Sequence, residues 1–561
     1  MITEQNQLSQ AGVSFKNNPK RHSGFMRNPL ITRKLRADLT KNRVSFFMVW
    51  LIFTLGLIFF SGTYPAGKNF GDSVARVYDR THLADLWFDM ANAPASVVDS
   101  VRALNGVSAA NGRVSEDMGI TWNGSASMIT LRAISLPKST DDLNNIVLIQ
   151  GRLPTASSEI VLLESFALAQ KIQIGDTVHL SGGTNVSAAP DTALAVHVVG
   201  LVSSGEYLIA ARGQLQPFPS ASTFGVGYLP YDTLAARFNL NGQVNSIDLA
   251  LAPSADLNTV RAAVVALLKP YDLQQALDRH QFAAYATLNA NVSSNTQVGL
   301  VFSFIFLLGS GSVMLVLLAR QIEGERRTIG TLRALGYSLR EIVSYYLAFA
   351  LLIVITGAAA AIPIGYGIST FMLEFFQRGM IGATVPFSGN ALNWPFVLLG
   401  IAISATMALL GALLPAWRAA TTDPGLALRP PAPTALPWLA RLPIPAPKAI
   451  RQSIRDLLRV PSRSVGTVIG TICGLALIVL CFAVWDDIDY NFNGYYQSRH
   501  YDFTVTLKTP TAIQSFATSV SGVAGVTAVE TGLIAPVQVQ LSDRTYTAEG
   551  IVLADQQRFV T

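Results

Sequence analysis

The chain has 561 residues, of which 50% are hydrophobic and 14% charged, and its mean hydropathy is +0.37. That is too apolar for an ordinary soluble protein, yet not apolar throughout, so a few membrane spans joined to soluble domains are expected. The net charge of +6 sits beside apolar runs, which points to membrane topology rather than to a nucleic-acid partner. The two cysteines, Cys473 and Cys481, share one apolar run, so neither a disulfide framework nor a cysteine metal site is expected.

Residues 1–45 are polar and basic and read as a cytoplasmic lead. Residues 46–62 form a first apolar run of about the minimum spanning length. The long basic lead, and the lack of an A-x-A-type site in Ser61-Gly62-Thr63-Tyr64-Pro65, favour an uncleaved span over a signal peptide. Residues 63–297 are a soluble insertion. Strand-like runs fall at 146–150, 159–163, 177–180, 195–202 and 246–251, with helical patterns at 95–104 and 257–268. The mixture predicts an α+β domain, with room for two subdomains.

Apolar runs at 298–319, 342–370 and 394–417 predict three further spans, the last two joined by an outside loop, 371–393. The basic stretches 320–341 and 418–464 then fall on the same side as the N-terminus, which the positive-inside rule makes cytoplasmic. Residues 424–447 are proline-rich and read as a semi-extended linker. A fifth span is predicted at 465–485, and residues 486–561 begin a second outside domain.

The chain also repeats itself at a near-constant offset. Arg36-Ala37-Asp38-Leu39 before the first span corresponds to Arg455-Asp456-Leu457-Leu458 before the fifth, and Gly106-Val107-Ser108-Ala109 to Gly525-Val526-Thr527-Ala528. The second copy is incomplete, so the expectation is a C-terminally truncated two-copy chain.

The connector between the second and third spans reads Glu325-Arg326-Arg327-Thr328-Ile329-Gly330-Thr331-Leu332-Arg333-Ala334-Leu335-Gly336. Ile329, Leu332, Leu335, Leu339 and Val343 recur at helical spacing, Gly336 is placed to stop a helix, and Ser338 to cap the next one. A surface helix that only satisfies the positive-inside rule and a helix that docks a partner both fit this pattern. The fourth span leaves as Leu414-Pro415-Ala416-Trp417-Arg418-Ala419-Ala420, followed by Asp423-Pro424.

These motifs, with Gly151-Arg152-Leu153-Pro154, Glu159-Ile160-Val161-Leu162 and Ile174-Gly175-Asp176-Thr177-Val178, resemble the FtsX/MacB/LolC-type permeases of ATP-binding cassette systems. The resemblance implies a multi-pass α-helical membrane protein with a large α+β extracytoplasmic domain of the MacB-like periplasmic core kind, located in the inner (plasma) membrane with a cytoplasmic N-terminus. It implies that the connector is a coupling helix docking on an ABC ATPase, itself a dimer. Glu323, Arg326, Arg327, Leu332, Leu335 and Gly336 are the expected contacts.

No G-x-x-x-x-G-K-[ST] run occurs in the sequence, so no cofactor is expected on this chain, and ATP with Mg is expected in the partner subunit. The predicted spans hold no Asp, Glu, Lys, Arg or His in their interiors, which weakens an ion-coupled transporter reading. The histidines lack zinc spacing and no nucleophile elbow stands out, so neither a catalytic residue nor a metal site is assigned. In the fifth span, Gly466, Gly470 and Gly474 are spaced to form a helix-packing seam.

The expected function is export or extraction of a lipid, lipoprotein or amphiphile by mechanical transmission, with membrane lipid and a periplasmic adaptor or lipoprotein as further partners. The other class is a non-transporting FtsX-like signalling permease that regulates a cell-wall hydrolase.

Overall fold

The computed structural model describes residues 40, 43–122, 129–139, 141–181, 193–213, 221–422, 447, scattered positions between 468 and 493, 513–541 and 544–553. The lead up to residue 39, most of the proline-rich linker, and Gly466 and Gly470 lie outside the described residues. So does part of the predicted fifth span, where the described positions are helical.

Among the described residues, four helices are long and apolar enough to cross a membrane. They are α1 (Arg43–Arg80), and three that follow the insertion. The first of these continues far beyond 62, where the sequence reading ends the span. Pro65 withholds only one N–H from the helix ladder. Beyond it, Ala66, Phe70, Val74 and Val77 recur at helical spacing, all at most 1% exposed. Tertiary burial of that stripe carries the helix onward.

The α+β insertion holds two sheets. One has four antiparallel strands, β1 (Leu86–Pro94), β2 (Val107–Arg113), β10 (Gln243–Leu251) and β11 (Leu273–Asp278), in the order β11-β1-β10-β2. Two helices, α2 (Val97–Arg102) and α5 (Leu257–Leu268), connect β1 to β2 and β10 to β11. This is a ferredoxin-like βαββαβ unit whose central hairpin has been opened to admit a second subdomain. Its core joins Phe88, Val101, Ile247 and Leu249 to Val260 and Val264.

The admitted subdomain contains β3 (Ser115–Trp122), β4 (Ile129–Ser135), β5 (Ile146–Gly151), β6 (Glu159–Leu163), α3 (Glu164–Gln170), β7 (Thr177–Ser181), β8 (Leu194–Ser204), β9 (Phe224–Leu229) and α4 (Tyr231–Phe238). The strand order is β5-β8-β6-β9-β4-β3-β7, with β7 also pairing β8. The ladder therefore closes into a six-stranded barrel, with β5 attached along β8. Closure removes most of the exposed edge. Leu131, Leu162, Phe166, Val178, Val198 and Val226 fill its core, all fully buried.

The chain then continues as α6 (Ala283–Gly324), α7 (Arg326–Ala334), α8 (Leu339–Phe376), a π turn (Gln377–Ile381) and α9 (Trp394–Thr421). Here too the helix starts well before 298, because Ala284 and Leu288 are buried against the barrel's core cluster. By compactness the chain divides into two units. One comprises residues 1–57, 307–361 and 398–472, and the other comprises 58–306, 362–397 and 473–561.

In the first unit, the helices approach at small residues. A Cβ on Gly357 would press on the Phe53 ring and lie 3.0 Å from Thr54 Oγ1, and one on Gly411 would lie 3.1 Å from Leu315 Cα. In the second unit, a Cβ on Gly365 would meet Ser61 Oγ and lie 3.1 Å from the Ile58 carbonyl oxygen, and one on Gly67 would lie 3.0 Å from Thr296 Cα. Thr63 Oγ1 lies 2.7 Å from Ser303 Oγ. Small-residue seams thus bring α1 close to α6 and α8, as small residues do between membrane helices.

The second copy is described by a helix, α10 (Ile513–Ser521), and a hairpin, β12 (Gly532–Leu541) and β13 (Arg544–Leu553). Gly106 after α2 and Gly525 after α10 both adopt positive φ, +91° and +97°. The repeat seen in sequence therefore extends to the same left-handed turn after the same helix.

Candidate functional site at the charged connector

Residues 320–341 hold five arginines and three glutamates, leaving the connector net basic between two apolar helices. The structure makes it a short helix with both boundaries specified. At its end, Leu335 is the C-cap and Gly336 has φ +91°. The Gly336 N–H donates to Arg333 O at 3.0 Å and the Tyr337 N–H to Leu332 O at 3.1 Å. This pair of bonds is a Schellman motif, which satisfies carbonyls that a helix end otherwise leaves open.

Two residues later the next helix opens with a capping box. Glu341 Oε2 accepts from the Ser338 N–H and from Ser338 Oγ, both at 2.8 Å. The Glu341 N–H donates back to Ser338 Oγ at 3.3 Å. The turn between α7 and α8 is therefore fixed by its own sequence. A third tie reaches across it, because the Tyr346 hydroxyl donates to Glu325 Oε2 at 2.6 Å.

The six expected contact residues do not share one face. Glu323, Arg327, Leu335 and Gly336 are exposed, whereas Arg326 and Leu332 are half-buried. Ile329 is fully buried and Gly330 is buried with it, so the apolar stripe at 329 and 332 turns inward. The outward face is instead Arg327, Thr331, Ala334 and Leu335, spaced one and two helical turns apart. Thr331 and Ala334 were not expected, since neither is charged or strongly apolar; only the helical phase, set by Ile329 pointing in, reveals them. Leu335 is 71% exposed, the most exposed large apolar side chain of the connector.

Of the predicted glycine seam, Gly474 alone is among the described residues. Gly474 is exposed, with nothing within 4 Å of an added Cβ, and its two partners lie outside the described residues. The small-residue seam that the structure does show is Gly357, Ala361 and Gly365 on α8, at the same spacing of four. No group of three or more His, Cys, Asp or Glu side chains is arranged to hold a metal among the described residues.

Four helices long and apolar enough to cross a membrane, an α+β insertion after the first, and a capped basic connector between the second and third define the architecture of the described residues. Residues 300–424, which hold the connector, match the family described as FtsX-like permease C-terminal. Over 149 residues the chain is 27% identical to a macrolide export ATP-binding/permease protein MacB of Syntrophobacter fumaroxidans (strain DSM 10017 / MPOB). That match covers 26% of this chain and 19% of that protein, so the chain spans only about a fifth of the curated relative.

Among solved structures, the periplasmic region of MacB from Actinobacillus actinomycetemcomitans is 14% identical, with 39% of this chain and 97% of that one covered and a TM-score of 0.25. The extracellular domain of the noncanonic ABC-type transporter YknZ from Gram-positive bacteria is also 14% identical, with 34% and 100% covered and a TM-score of 0.24.

Proposed function

We propose that this chain is the permease subunit of an ATP-binding cassette system, in which a separate ATPase moves the connector and long helices carry the motion to an extracytoplasmic α+β domain. The observation that carries this reading is the doubly capped connector with Leu335 and Arg327 outward. A rigid helix with an apolar anchor and a basic rim suits a groove on a soluble partner. The basic stretches beside it support a cytoplasmic position and a cytoplasmic N-terminus, and hence an inner-membrane protein whose insertion lies outside.

Continuous helices support a route for the motion. α1 is one helix from Arg43 to Arg80 and α6 one helix from Ala283 to Gly324. The segment joining α8 to α9 is seated in the insertion's own core, through Ile381 and Val385. Its Thr384 N–H donates to Glu164 Oε2 at 2.9 Å, and Arg76 Nε donates to the Phe387 carbonyl at 3.0 Å. Motion of α8 would therefore reach the barrel without a pathway for cargo through the bilayer. The cargo class that fits is a lipid, lipoprotein or amphiphile taken from the outer leaflet.

Co-purification of the full-length protein in nanodiscs tests the reading. The wild type is expected to capture an ABC ATPase, and Leu335→Glu or Arg327→Glu to lose it about tenfold or more. Capture unaffected by both substitutions overturns the docking assignment. Capture of a cell-wall hydrolase without lipid or lipoprotein accumulation in depleted cells would move the reading to signalling.

A further inference from the structure

The barrel is joined to the four-stranded sheet where β2 runs into β3, and a buried charge cluster sits at that crossing. Arg113, the last residue of β2, donates from Nη1 and Nη2 to Glu206 Oε2 and Oε1, each at 2.6 Å. Its Nη1 also lies 3.0 Å from Asp248 Oδ2. Glu206 follows β8 and belongs to the barrel, whereas Asp248 lies on β10 of the sheet. From β1, Trp87 Nε1 donates to Glu206 Oε1 at 3.0 Å. Close by, Asn245 closes the second crossing. Its Oδ1 accepts from the Ser115 N–H at 2.8 Å and its Nδ2 donates to Glu116 Oε1 at 2.9 Å.

Glu206 and Asp248 are each 1% exposed, so one guanidinium serves two fully buried carboxylates. The other charged and titratable groups facing them do not balance the count. Asp89 on β1 is partly buried and adds a third carboxylate. Arg132 on β4 is engaged by Asp117 on β3 at 2.8 Å and by the Tyr207 hydroxyl at 3.2 Å. Arg212 also lies on Asp117, at 3.2 Å. Tyr228 on β9 and Tyr207 are held neutral by burial. A buried carboxylate in excess of its counter-charge is neutralised by a proton more cheaply than it is left ionised.

We propose that Asp248 is the proton-binding residue of a latch that fixes the barrel against the ferredoxin-like sheet. With a proton on Asp248, Arg113 and Glu206 form a matched pair and the crossing stays dry. Without it, two anions compete for Arg113, and their repulsion is relieved by admitting water between the two subdomains. Burial pushes the Asp248 carboxyl up to about 8, with Arg113 pulling it down and Glu206 pushing it further up. Asp248 Oδ1 is fully buried, and a side-chain hydrogen bond with Asn144 pulls the carboxyl down without offsetting its burial. The folded pKa is raised, so the latch is complete below the ordinary carboxylate range and is lost as pH rises through about 8. This inference is independent of which cargo the protein handles.

Hydrogen exchange of the full chain in nanodiscs, corrected for intrinsic rates, tests the latch at pH 6 and pH 9.5. Backbone amides at 86–94, 107–118 and 243–251 are expected to lose protection by about tenfold or more at the higher pH. Asp248→Asn, which mimics the neutral acid, is expected to keep its protection at both. Glu206→Gln leaves Arg113 with one carboxylate and is expected to move the transition down by about a pH unit or more. Protection equal at both pH values in the wild type overturns the proposal. So does an unchanged transition in Asp248→Asn, or, should that variant not fold, an unchanged transition in Glu206→Gln.

Discussion

The Tyr346 hydroxyl and Glu325 Oε2 lie 2.6 Å apart, so the residue that opens α7 is bonded to a side chain two turns into α8. The connector is thereby held at its start by this bond and at its end by Gly336. Tyr346→Phe removes the donor and leaves Glu325 half-buried with one bond fewer, at a cost of about 1 kcal/mol. Hydrogen exchange over 325–336 should quicken about fivefold, corresponding to that cost, while amides of the insertion stay as they were. An unchanged connector in this variant would show that the two caps alone hold it.

Gly336 stands in open space, with nothing within 4 Å of an added Cβ, but its φ is +91°. Substitution there is therefore a purely conformational test. Gly336→Ala should destabilise the end of α7 by about 1 kcal/mol, through left-handed strain with no clash to confuse it. Gly336→Asn, which tolerates that region better, should lose less. Circular dichroism and exchange at 332–338 separate the two variants.

These boundaries were legible in the sequence because they are local. Gly336 and Ser338-x-x-Glu341 announce a stop and a start within a few residues, and the structure forms both. The runs at 159–163 and 257–268 are likewise strands and helices on their own pattern, and match β6 and α5. What the sequence hid depends on distant partners. The face of α7 that points outward is decided by the burial of Ile329 on the opposite side. The extension of α1 beyond Pro65 is decided by Phe70 and Val74 meeting the insertion's core. The ferredoxin-like unit was hidden because its central hairpin is split, and β2 and β10 pair across the whole barrel. Strands such as β4 and β9 are identified by their ladders, to each other and to β3 and β6, rather than by their own pattern.

Close approach of α8 to α1 rests on the absence of side chains at Gly357 and Gly365. A Cβ on Gly365 presses on Ser61 Oγ, which could swing away, but also lies 3.1 Å from the Ile58 carbonyl oxygen, which could not without moving helix backbone. Gly365→Val should cost about 1–3 kcal/mol by overpacking. A lowered thermal midpoint of the purified protein checks it. Gly367→Val on the same helix, where an added Cβ meets nothing within 4 Å, is the control and should leave the midpoint nearly unchanged.

Ile329 and Leu335 lie on one short helix and should fail in opposite ways. Ile329 is fully buried, so Ile329→Ala removes packed methylenes and leaves a cavity, costing about 2–4 kcal/mol of stability. Leu335 is 71% exposed, so Leu335→Ala should change stability by about 0.5 kcal/mol or less. If Leu335 is the apolar anchor for a soluble ATPase, the order reverses for coupling. Leu335→Ala should weaken capture of the ATPase about tenfold while the thermal midpoint holds, since a truncated anchor in an interface core costs about 1–2 kcal/mol. Ile329→Ala should lower the midpoint first, and lose capture only in proportion to the protein unfolded. Measuring both quantities on both variants separates a docking surface from a helix that merely rests on the membrane. In the latter case Leu335→Ala would leave capture and stability alike untouched.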